Sequence, residues 1–100
     1  MIYLTQLIYV KPGKENLFIE FENHVIPLMK LHGGVMIQRV RPIPENYIEG
    51  EEIKPYEIHF MSFQDEQAIT DYSSDPRRLK YMKMKEDSIE SIVLVKGFKQ

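Results

Sequence analysis

The chain has 100 residues, 13 basic and 15 acidic, and a net charge of −2, which argues against nucleic acid as its main partner. It contains no cysteine, so disulfides, thiolate metal sites and a cysteine nucleophile are excluded, in keeping with a reducing cytoplasm. With 43% hydrophobic and 28% charged residues, positions 1–100 read as one globular domain with one core, and a large pocket is easier to build by sharing it with a second subunit.

Residues 2–10, IYLTQLIYV, are rich in β-branched and aromatic side chains and stop at Lys11-Pro12-Gly13, which predicts a strand and a turn. The stretch lacks the basic start and small-residue cleavage site of a signal peptide. No run reaches the ~18 apolar residues of a membrane span, so no membrane partner is expected. From Lys14 the period changes. Leu17, Phe18, Phe21, Val25, Leu28 and Met29 recur every three or four residues and form one helical stripe, with Glu15, Glu20, Glu22 and Lys30 read as facing water. Pro27 falls inside this helix, where it removes the hydrogen bond to the carbonyl of Asn23 at a cost of ~3 kcal/mol. Because the stripe continues in phase beyond it, a kink or a short break and restart is expected. Gly33-Gly34 ends the helix, since glycine accepts the left-handed conformation there.

Residues 35–41, VMIQRVR, predict a second strand, closed by Pro42 and Pro44. Residues 43–55 are acidic and proline-bounded and read as a long loop, of a length that is often functional. Residues 56–63, YEIHFMSF, predict a third strand. Asp65 is the expected N-cap of a helix through Ala68, Ile69 and Tyr72. Ser73-Ser74-Asp75-Pro76 breaks and re-caps that segment, with Pro76 suited to a first helical position and a basic helix after it. Residues 89–96, IESIVLVK, predict the last strand. The order β-α-β-β-α-β is the ferredoxin-like α+β plan, a four-stranded antiparallel sheet with its helices on one face.

That plan leaves one sheet face bare, yet neither face of the predicted strands is strongly polar. One side of the third strand carries Tyr56, Ile58, Phe60 and Ser62, the other Glu57, His59, Met61 and Phe63. The last strand offers Ile92 and Leu94 on one side, Val93 and Val95 on the other. A second layer must cover the free face, and another copy of the chain is the simplest source, giving a homodimeric α/β barrel.

The stretch VKPGKENLFIEFENHVIPLMKLHGG resembles the first strand end, helix and glycine turn of NIPSNAP-type domains. The stretch FMSFQDEQAITDYSSDPRRLKYM is similar to the strand–helix half of antibiotic-biosynthesis-monooxygenase domains. Both resemblances lie in the dimeric α/β-barrel superfamily, and they imply a ligand held between the free sheet face and the helices. The superfamily includes cofactor-independent monooxygenases, haem-degrading enzymes and isomerases. Haem-degrading members use an Asn, a Trp and an iron-binding His, and the matching positions here hold Gln6, Phe63 and Tyr81. The resemblance therefore implies neither haem nor any other cofactor.

His59 is the candidate catalytic residue, because histidine titrates near neutral pH and serves as general acid or base. Its bland alternative is a core-edge histidine satisfied by a backbone carbonyl or by Glu57. Gln6, Gln38, Tyr72 and Tyr81 are its candidate partners, and with Met61 and Phe63 they make the expected substrate-binding set. Arg39 and Arg41 could fork a substrate carboxylate or form a solvated strand edge. His24 and His32 read as structural, and no histidine spacing matches a zinc motif. The basic cluster Arg77, Arg78, Lys80, Lys83 and Lys85 reads as a solvated face or as a rim that steers an anion. Two functions fit. One is a homodimer that binds a small electron-rich organic molecule, such as a cofactor-independent monooxygenase. The other is a non-catalytic dimeric interaction module that uses the acidic loop.

Overall fold

The structure is a computed structural model that describes residues 1–99. Its elements are β1 (Ile2–Val10), α1 (Glu15–Leu31), β2 (Val35–Val40), β3 (Glu57–Phe63), α2 (Glu66–Ser73), α3 (Pro76–Leu79), α4 (Met82–Ser88) and β4 (Ile89–Gly97). The strands form one antiparallel sheet in the order β2-β3-β1-β4, and the helices lie on one face. This is the ferredoxin-like α+β arrangement that the sequence predicts.

Side chains alternate across β1 and β3 as a pleated strand requires. Ile2, Leu4 and Ile8 meet Glu57, His59, Met61 and Phe63 on the helix-covered face, and all seven are buried. Phe18, Phe21, Val25 and Met29 of α1 pack down onto them. Near α2 the core gathers Ile2, Leu4, Met29, Met61 and Phe63, with Ile69 and Tyr72 against it.

α1 runs through Pro27 without a break, which rules out the restart. Pro27 and Asn23 both lie on the exposed side of the helix, where water can reach the carbonyl that the proline leaves unbonded. Gly33, at φ +78°, turns the chain after α1. Gly34 answers a different need, close approach: a Cβ there would lie 2.5 Å from Met29 Cγ and 2.9 Å from Phe63 Cε1. One helix-face residue departs from the sequence reading. Glu22, expected to face water, is only 7% exposed. It sits four residues after Phe18 and three before Val25, within the buried stripe.

The second helical segment is three short helices rather than one or two. Asp65 caps α2 by accepting from the Ala68 N–H at 2.9 Å, and Asp75 caps α3 by accepting from the Arg77 N–H at 2.8 Å, with Pro76 in the first turn. His32, at the end of α1, donates from Nε2 to Asp75 Oδ2 at 2.8 Å and so ties α3 to α1. The 43–55 segment holds one 3₁₀ turn, Pro44–Asn46, and is otherwise irregular, with Ile48 and Ile53 exposed.

The opposite sheet face has no helix on it. Tyr3 and Phe60 stack there with ring centroids 5.8 Å apart. Val40, Val93 and Val95 lie on the same face and are each about half exposed, at 44%, 47% and 57%.

Candidate functional site

α1 does not close fully against the sheet. Between them lies a cavity of about 150 Å³, lined by Gln6, His59, Met61 and Phe63 from the sheet, Glu22, Val25 and Met29 from α1, and Tyr72, Arg78 and Lys85 from the later helices. A volume of about 150 Å³ is large enough to hold a molecule the size of benzene. Leu94 also lines this space and is 53% exposed, so the cavity reaches solvent at the β4 edge.

On the sheet wall stands a charged cluster. His59 is 1% exposed, and its Nε2 lies 2.8 Å from Glu57 Oε1. Arg39 donates to the same carboxylate from Nε at 2.8 Å and from Nη2 at 3.3 Å. Arg41 donates from Nε at 3.1 Å and also from Nη2. Burial alone would raise the Glu57 carboxyl. The hydrogen bonds from His59, Arg39 and Arg41 outweigh it and bring the group down from 4.5 to about 2. Glu57 is therefore a fixed anion. In the neutral imidazole Nε2 then carries the proton that Glu57 accepts, which leaves the lone pair on Nδ1.

The opposite wall differs. The Glu22 carboxyl is pushed up by burial, opposed by His59 when that ring is protonated and by the positive charges of Arg39 and Arg78, and helped by the negative charge of Glu57. No hydrogen bond contributes to that balance. Burial also raises Tyr72, and burial together with Arg78 lowers Lys85. The Arg78 guanidinium lies over the Tyr72 ring, 4.9 Å from its centroid, and its buried Nε has no hydrogen-bond partner. Among the described residues, no group of three or more His, Asp or Glu side chains is arranged to hold a metal ion. Among the described residues no helix is long and apolar enough to cross a membrane.

No protein-family model matches the chain, and no curated protein matches it in sequence. Solved structures do match in shape. A protein of unknown function from Rhodopseudomonas palustris superposes with a TM-score of 0.82 at 13% identity, over 99% of this chain and 83% of that one. An uncharacterised NIPSNAP domain protein from Burkholderia xenovorans gives 0.72 at 10% identity, over 100% and 95%. A dimeric ferredoxin-like protein of unknown function from Jannaschia gives 0.72 at 16% identity, over 98% and 98%. The chain shares the ferredoxin-like fold of the Jannaschia protein. At such identities the likeness is one of fold.

Of the residues expected at a site, the structure brings His59, Gln6, Met61, Phe63 and Tyr72 around the one cavity. Gln38 and Tyr81 are elsewhere. Strict alternation from Met36 would set Gln38 beside His59, but a bulge between Met36 and Gln38 shifts the register. Gln38 then pairs with Phe60 on the free face, and Arg39 takes the place opposite His59. Tyr81 falls in the turn between α3 and α4 and stacks on the exposed His24, centroids 4.1 Å apart and planes 7° from parallel. Arg39 and Arg41 hold Glu57, a carboxylate of the protein itself. From the basic cluster, Arg78 and Lys85 line the cavity. The sequence reading missed Glu22, although its three- and four-residue spacing to the apolar stripe is visible in the sequence.

Proposed function

We propose that the protein is a homodimer that binds a small organic molecule in the cavity between α1 and the sheet, with His59 as the base that removes a proton from it. The observation that carries this reading is the pairing of His59 with Glu57 at the cavity wall. A carboxylate that accepts from one imidazole nitrogen orients the ring and stabilises the charge that appears when the other nitrogen takes a proton. A cavity with mostly apolar walls limits competition from water. Oxygenation without a cofactor is one continuation, since an electron-rich substrate anion can react with oxygen once the protein has formed and shielded it. The homodimer rests on the uncovered face, where Tyr3, Phe60, Val93 and Val95 present apolar surface that a second sheet would bury.

The test uses cyclohexanone, a ring ketone of benzene-like size, in deuterium oxide, with exchange at its α carbon followed by proton NMR. Wild type accelerates exchange, and His59→Gln loses on the order of 10²–10⁴-fold, the usual share of a general base. Exchange untouched by His59→Gln would sink the base assignment. A solution mass of one chain would sink the dimer. The exposed Ile48 and Ile53 on the acidic loop favour the second reading, an interaction module. On that reading His59→Gln changes only stability.

A further inference from the structure

Glu22 is a buried titratable side chain at the cavity that the proposed base chemistry leaves unused, and among the described residues it forms no hydrogen bond. It lines the cavity from α1, and His59 lines it from β3. Burial of a carboxyl without a partner is costly in the ionised form and much less so in the protonated form. When Glu22 is protonated, its carboxyl and the His59 imidazole line one small cavity and offer an acid and a base to the same bound molecule.

We propose that Glu22 is the proton donor that complements His59, so that the cavity moves a proton between two carbons of a small unsaturated ketone, an isomerisation. The inference rests on the assignment of His59 as base. His59 Nδ1 takes the proton from the carbon between the carbonyl and the double bond. The C–H electron pair enters the conjugated system, and negative charge develops on the carbonyl oxygen. The Glu22 carboxyl then delivers its proton to the γ carbon, where the electron pair closes a new C–H bond. The site is left with a Glu22 carboxylate and a His59 imidazolium, and return of the proton from His59 to Glu22 restores it. No oxidant or reductant is needed. The basic groups around the cavity, Arg78 and Lys85, supply positive potential for the charge that develops in between.

The groups that face Glu22 are His59 and Glu57 on β3, Arg39 on β2, Tyr72 on α2, Arg78 on α3 and Lys85 on α4. Because Glu22 must be protonated to donate, isomerisation falls as pH rises through its titration. Proton removal by His59 has no such requirement.

The probe is a β,γ-unsaturated cyclohexenone. Its conversion to the conjugated isomer is read by ultraviolet absorbance, and exchange at its α carbon by NMR in deuterium oxide. Glu22→Gln, which keeps the size and the neutral character of the protonated side chain, is expected to lower isomerisation by on the order of 10²–10⁴-fold and α-exchange far less. His59→Gln lowers both. Wild-type exchange without isomerisation, or isomerisation that survives Glu22→Gln, overturns the role of Glu22 and leaves His59 as base. A wild type that does neither overturns both assignments.

Discussion

Glu57→Gln tests whether the charged cluster is held together by one carboxylate. The substitution keeps the shape and removes the charge on which Arg39, Arg41 and His59 converge. The fall of the carboxyl from 4.5 to about 2 corresponds to about 3 kcal/mol at about 1.4 kcal/mol per pH unit. The Arg39 and Arg41 side chains are 30% and 46% exposed, so water can re-solvate them once released. The loss should therefore stay near the lower end of the ~3–5 kcal/mol seen when a buried pair loses one partner. The sign follows from the direction of the shift. A carboxyl depressed in the folded state contributes fully above its unfolded value of 4.5 and loses that contribution as pH falls towards about 2. Urea unfolding of both proteins across this range should show a gap of about 3 kcal/mol at neutral pH, closing near pH 2. A gap that stays constant with pH would refute the electrostatic account and point to packing. No gap at neutral pH would mean that the arginines and His59 find other partners.

Glu22→Gln should act in the opposite sense. A carboxyl raised in the folded state contributes stability only below its unfolded value of 4.5, so by about pH 8 Glu22 costs stability. The variant should melt higher than wild type there, and the advantage should shrink as pH falls towards 4.5 and be gone below it; a variant that melts lower at about pH 8 would contradict the buried placement. Gly34→Ala puts a methyl group into Met29 and Phe63 and should lose about 1–3 kcal/mol, or roughly 4–8 °C in Tm for each kcal/mol. Unchanged melting would show that Met29 yields without strain.

Much of the fold is legible in the residue pattern because local rules decide it. The β-branched and aromatic runs at 2–10 and 56–63, the stripe from Leu17 to Met29, the caps at Asp65 and Asp75 and the turn at Gly33 each act over a few residues. Register across strands is not local. The bulge at Ile37 carries no glycine or proline to mark it, yet it moves Gln38 away from His59 and brings Arg39 in. The split of the basic helix at Lys80 and Tyr81 is equally unmarked, and it sends Tyr81 to His24 rather than to the cavity.

The sequence by itself determined the element order, the apolar character of both sheet faces and the standing of His59 as a candidate base, since these follow from residue type and spacing. Tertiary structure decided what His59 can do. Glu57 lies two residues away on the same strand face, but whether its carboxylate meets the imidazole or the solvent depends on Arg39 and Arg41 arriving from the neighbouring strand. Glu22 shows the same division. Its place in the helical stripe is a matter of spacing, whereas its isolation in a partly apolar cavity depends on how α1, the sheet and the later helices pack, because burial and the absence of a partner are properties of the assembled fold.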